Sequence, residues 1–212
     1  MGTWRSSLAL FRGEDAAIWH GYLLGSFNRH KGVIMQEGLI PKGVAHVPMT
    51  DEYEPEHVVF VLLPDTSMLA FSAAVETLRI ANQLTGKLLF RWQVMSEDGA
   101  PVRCSNGLEI NVDSELTETK NGSMVFVCSG TQPEKASSQK VADWTRLQWR
   151  MGRTVGGLCT GAYTLARAGI LKGRSFTLHW ENILPFKESY PELEPREQLY
   201  VIDDRIMTCG GG

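Results

Sequence analysis

Paired cysteines are missing from this sequence: Cys104, Cys128, Cys159 and Cys209 are widely spaced and form no C-x-x-C pair. That excludes a zinc-ribbon type of metal site and a disulfide scaffold, and it fits a reducing cytoplasm. A basic excess is missing too. The formal net charge is -3, so nothing here forms the positive face that phosphate binding requires. Any contact with DNA is expected outside these residues. No apolar run approaches the roughly 18 residues of a membrane span. Ala16–Asn28 has no charged side chain, yet His20 interrupts it, and Glu14 and Asp15 stand where a signal peptide would be basic. It reads as neither signal nor anchor. Repeats and low-complexity tracts are absent as well.

What is present is a globular balance, with 43% hydrophobic and 21% charged residues in 212. Such a length suits one domain plus an extension. Residues 1–56 read as that extension. They are glycine-rich and irregular and close on Asp51-Glu52-Tyr53-Glu54-Pro55-Glu56, an acidic linker. Ile18–Leu24 could make a short helix, but no core is visible. The segment is expected to be poorly ordered or to lie upstream of the true start.

Regular structure is expected from His57. The run Val58–Leu63 is continuously apolar and halts at Pro64-Asp65, which predicts a buried parallel strand. Between Met68 and Leu84, apolar residues at Leu69, Ala73, Val75, Leu78, Ile80 and Ala81 have helical spacing. Strands are predicted at Phe90–Met95, Met124–Cys128, Thr154–Leu158 and Ser175–Leu178. Hairpins are predicted around Ser105-Asn106-Gly107 and Asp203-Asp204. Helices are predicted over Ala136–Met151, Ala162–Ala168 (stopped by Gly169) and Glu181–Tyr190 (stopped by Pro191). Alternating strands and helices of these lengths define an α/β three-layer sandwich with a mainly parallel sheet. Trp92, Trp144 and Trp149 fall within periodic segments and read as core or interface.

The richest segment for chemistry is Thr154–Gly173, a buried strand turning sharply at Cys159 into a helix. Such an elbow presents the cysteine at the carboxyl edge of the sheet. Helix N–H groups beside the thiol favour thiolate, and Gly156, Gly157 and Gly161 suit close packing around the turn. A buried, inert thiol fits the same spacing, so both readings stay open on pattern alone. His179-Trp180-Glu181 follows a predicted strand to the same edge. An indole face beside a carboxylate suits a quaternary ammonium ion, which has no N–H to donate. Equally, Trp180 could be core and Glu181 a helix-start charge. Ser129-Gly130 ends another strand there and offers backbone N–H groups to a ligand carboxylate, or is an ordinary turn.

The run Gly157-Leu158-Cys159-Thr160-Gly161-Ala162-Tyr163-Thr164-Leu165-Ala166-Arg167-Ala168-Gly169 resembles the elbow of the PfpI-like, class I glutamine amidotransferase-like superfamily, whose fold is flavodoxin-like. With Phe176-Thr177-Leu178-His179-Trp180-Glu181-Asn182, Leu199-Tyr200-Val201-Ile202-Asp203 and Ala74–Asn82, it is more similar to the GlxA-type subgroup of AraC transcription regulators. The resemblance covers His57 to Gly212 and lies nearest the subgroup that senses betaine, carnitine and related quaternary amines. It implies an effector-binding domain, a homodimer, no cofactor or metal, and DNA contacts made by a C-terminal helix-turn-helix domain that this chain does not include. The ligand residues it implies are Ser129, Gly130, Cys159, Thr160, His179, Trp180 and Glu181.

Two departures separate sensor from enzyme. PfpI-like hydrolases follow the elbow cysteine with histidine, where this chain has Thr160. They set a glutamate against the thiol from the first helix, where this chain has Ala70. Without those partners the thiol lacks a base and an orienting group. The rival reading is a cysteine-dependent hydrolase, hydratase or glyoxalase-like enzyme, with Cys159 as nucleophile and His179 as base. The glycine-rich tail Gly210-Gly211-Gly212 lacks the lysine and helix of a P-loop.

Overall fold

The computed structural model describes residues 45–50 and 53–211. The predicted helix at Ile18–Leu24, and most of the proposed extension, lie outside the described residues. The part of it that is described touches the domain: Val47 N–H donates to the Leu84 carbonyl at 2.7 Å.

Strand β1 (Glu56–Leu62) holds the apolar run from Val58, preceded by Glu56 and His57, and its two faces feed two different cores. Val58, Phe60 and Leu62 join one cluster with Ala70 and Phe71 of helix α1 (Met68–Thr85). Val59 and Val61 join the other, with Val141 and Ala142 of α3 (Gln139–Arg150), Leu165 of α4 (Ala162–Arg167) and Phe186 of α5 (Ile183–Ser189). From Val58 onward the strand is apolar because a layer of helix covers each side. Each such side chain withdrawn from water stabilises the fold by roughly 1.5–3 kcal/mol.

The remaining strands are β2 (Phe90–Ser96), β3 (Val102–Arg103), β4 (Glu109–Ile110), β5 (Ser114–Glu115), β6 (Met124–Cys128), β7 (Thr154–Leu158), β8 (Tyr200–Asp203) and β9 (Ile206–Cys209). Seven of them form one sheet in the order β5-β2-β1-β6-β7-β9-β8. Every pair in it is parallel except β8 with β9. The sandwich architecture is as the sequence pattern predicts, down to the β3–β4 hairpin, whose turn uses Gly107 at φ 85°. Local chemistry fixes the first crossover. Ser67 caps α1 by accepting from Ala70 N–H at 3.3 Å, and Asn82 ties its far end to β2 through three bonds of 2.9 Å to Leu89 N, Phe90 N and Phe90 O.

Three elements differ from expectation. Ser175–Leu178 is no strand: Ser175 N–H donates to Asp203 at 2.6 Å and Thr177 N–H to the Thr208 hydroxyl at 2.8 Å. Side chains take the donors a ladder would use, and β9 occupies the place beside β7. The helix expected over Ala136–Met151 starts three residues later, as α3, because Ser138 caps Val141 N–H at 3.1 Å, and a separate short helix α2 (Pro133–Ala136) precedes it. The helix expected from Glu181 begins as a 3-10 turn, Trp180–Asn182, before α5. Among the described residues, no helix is long and apolar enough to cross a membrane.

Candidate functional site

Central strands β1, β6 and β7 run parallel, so the turns that leave them gather at one carboxyl edge, where open α/β sheets bind ligands. Backbone strain gathers there too. Among the described residues, non-glycine residues with positive φ are Asp65 (58°), Gln132 (53°), Cys159 (58°) and Asp204 (54°). Asp204 sits in the β8–β9 hairpin, but the other three lie in the turns after β1, β6 and β7. A left-handed conformation costs a side-chain-bearing residue roughly 1–2 kcal/mol, and such outliers concentrate at functional sites.

The elbow is as tight as its glycines suggest. A Cβ on Gly156 would stand 2.4 Å from Met207 O and 2.5 Å from the Phe126 ring, and one on Gly157 2.7 Å from Ala162 N. Cys159 is 6% exposed and shares its cluster with Ala70, the position where a hydrolase would carry its carboxylate. The backbone of the tail lies across it: a Cβ on Gly211 would come 2.7 Å from Cys159 Cβ. Burial pushes the thiol up to about 11, the nearby Cys209 and Glu181 push the same way, and the Thr160 backbone N–H opposes them. Of the two readings left open for this thiol, its burial supports the enclosed, protonated one. One amide from a six-residue helix is outweighed by the loss of solvent around the sulfur.

Other expected residues fall into a floor and a rim. Thr160 is fully buried, and its hydroxyl donates to Gly130 O at 2.7 Å, joining the β6 and β7 turns. Ser129 N–H donates to Leu158 O at 3.4 Å, which engages one of the two amides expected to meet a carboxylate. The Ser129 hydroxyl is buried without a hydrogen-bond partner. At the rim, His179 N–H donates to Cys159 O at 3.0 Å, anchoring the Trp180–Asn182 turn to the elbow. His179 Nδ1 lies 3.8 Å from Glu181 Oε2, and the His179 and Trp180 rings are 5.8 Å apart. Trp180 is 72% exposed, which overturns its reading as a core residue.

Pattern reading misses a neighbouring cavity of about 260 Å³ whose wall includes Gln132, Glu134, Tyr163 and Asn182. Neither Cys159 nor Trp180 lines it. No local signal exposes it, because Gln132, Tyr163 and Asn182 belong to no common motif.

An elbow cysteine at the carboxyl edge of a parallel three-layer sandwich defines a PfpI-type domain. The chain belongs to the DJ-1/PfpI family, whose model matches residues 56–211. It is 45% identical over 153 residues to HTH-type transcriptional regulator CdhR of Pseudomonas aeruginosa, covering 72% of this chain and 45% of that one. It is 35% identical over 164 residues to HTH-type transcriptional regulator GlxA of Rhizobium meliloti, covering 77% and 51%. A crystal structure of an AraC family transcriptional regulator from Pseudomonas putida superposes with a TM-score of 0.62 at 28% identity, covering 74% of this chain and 84% of that one. The chain spans about half the length of the curated relatives it matches.

Proposed function

We propose that this chain is the effector-sensing domain of a cytoplasmic, AraC-type transcription regulator, that it is not an enzyme, and that its effector is a small amine such as glycine betaine or carnitine. The observation that carries this reading is the inversion at the edge: the thiol is enclosed, with burial pushing it up to about 11, while the Trp180 indole stands exposed and the next residue, Glu181, holds its carboxylate 3.8 Å from His179 Nδ1. Nucleophilic chemistry needs the opposite arrangement. A quaternary ammonium needs this one, with an open aromatic face and a negative charge. Trp180 and Glu181 hold the cation, His179 fixes their turn against the elbow, and Ser129, Gly130, Cys159 and Thr160 form the floor beneath.

In the full-length regulator a homodimer carries a DNA-binding module, and effector binding acts by favouring one arrangement of that dimer over another. A ligand that binds only the folded state must raise its stability, by about 2.7 kcal/mol at a hundred times Kd. In a chain of this size that moves Tm by several degrees, at roughly 2–4 °C per kcal/mol. A thermal-shift screen of betaine, carnitine, choline and arginine is expected to give such a rise for at least one compound. Trp180→Ala should abolish it while leaving the ligand-free Tm almost unchanged, since the residue is exposed. A flat response to every amine would refute the sensing role.

A further inference from the structure

The cavity beside the elbow has a chemistry of its own. Pro133 and Pro185 give it apolar walls, and Gln132, also in its wall, holds a left-handed backbone (φ 53°, ψ 49°) directly before a proline. That conformation is unfavourable twice over, for its handedness and for the residue that follows. Tyr163 is 2% exposed, and its ring is boxed by Phe186 at 5.0 Å and Tyr190 at 6.3 Å. What it brings to the cavity is therefore its hydroxyl end. That hydroxyl reaches Asn182 O at 3.5 Å, the outer limit of a hydrogen bond.

The field at this phenol is negative. Burial first, then Glu134, Tyr190 and Glu188, push it up to about 12, and the Asn182 side chain opposes them. One Glu134 oxygen accepts from Ser189 at 2.6 Å, which leaves the second carboxylate oxygen for another donor. The one lining cation, Lys135, has its ammonium on Gln132 Oε1 at 3.0 Å.

We infer that this cavity is a second ligand site, for a primary ammonium on a short alkyl chain. The ammonium donates to Tyr163 Oη and Glu134, and the chain lies between Pro133 and Pro185. A quaternary ammonium is excluded because it has no N–H and the Tyr163 ring faces are covered. The site thus goes beyond the quaternary-amine reading at Trp180 and selects the opposite chemistry.

Isothermal calorimetry on the full 212-residue chain tests this with butylammonium, butanol, butyrate and tetramethylammonium. Butylammonium is expected to bind saturably. Glu134→Gln, which keeps an acceptor for Ser189, and Tyr163→Phe should each weaken it about fivefold or more, the usual weight of a charge-assisted hydrogen bond. Trp180→Ala should leave butylammonium binding unchanged. Butanol and butyrate should bind at least about tenfold more weakly, lacking the charge or carrying the wrong one. The inference is overturned by absent butylammonium binding, by equal binding of butanol or butyrate, or by an unaltered Glu134→Gln variant. Because Glu134 is exposed, that variant decides the matter even if Tyr163→Phe fails to fold. Loss of butylammonium binding in Trp180→Ala alone would also overturn it, by moving the amine to the other site. Failure of the Trp180 reading shows separately, as absent stabilisation by quaternary amines.

Discussion

Gly161→Ala is expected to destabilise the domain by about 4 kcal/mol, although the change adds a single methyl group. Gly161 has an ordinary helical backbone (φ -57°, ψ -20°), so the penalty is not one of handedness. It is one of space. The added Cβ would stand 2.1 Å from Val127 O, 2.9 Å from Gly157 Cα and 2.9 Å from Leu158 N. All three are backbone atoms, and Val127 is paired with Gly157 across β6 and β7. No rotamer can relieve the clash, so either the ladder or the elbow must open. Overpacking of this kind costs on the order of 4 kcal/mol, much of a typical domain's stability of about 5–15 kcal/mol. Gly169→Ala is the control. Its φ is +71° with nothing within 4 Å of the added atom, so it should cost only about 1–2 kcal/mol of backbone strain. Urea midpoints of the two variants separate close packing from conformational strain.

Phe186→Ala should destabilise the domain by about 3–5 kcal/mol. Phe186 is fully buried and has its ring 5.0 Å from Tyr163, 5.5 Å from Phe176 and 5.1 Å from Tyr190. It therefore pins α5 to α4 and to the irregular segment before the Trp180 turn. Three aromatic partners cannot collapse together into the space of a lost ring without moving backbone, which keeps the expected value in the upper part of the large-to-small range. The midpoint should fall with an unchanged denaturant slope, the sign that stability and not compactness has altered. Leu184→Ala, two residues away but exposed in the same helix, should stay within about 0.5 kcal/mol.

How much of this was legible depends on the range of the interaction that decides each feature. Val58–Leu63 announces a strand covered on both faces, and Gly156, Gly157 and Gly161 announce a close turn at Cys159, because the cause is local. Ser175–Leu178 has a strand's composition, but Asp203 and Thr208, far along the chain, take its amides. The choice between a reactive and an inert thiol stays open on pattern alone for a similar reason. The favourable helix amide is local, while the burial that outweighs it is supplied by α1 and by the Gly211 backbone. The cavity was invisible because Gln132, Tyr163 and Asn182 share no motif and meet only when the β6 turn, α4 and α5 pack.

In the proposed sensor, Cys159 is a buried wall of the receptor and not a nucleophile. At neutral pH a thiol near 11 is ionised in only about one molecule in ten thousand, against a few per cent for a free cysteine. The most direct measurement is the rate of iodoacetamide labelling at Cys159, read by peptide mass against pH, with methylglyoxal and small-amide turnover followed alongside. The rate should climb without an inflection up to about pH 9.5, with no turnover at any point. An inflection at about pH 8 or below, together with turnover that vanishes in Cys159→Ala, would contradict it.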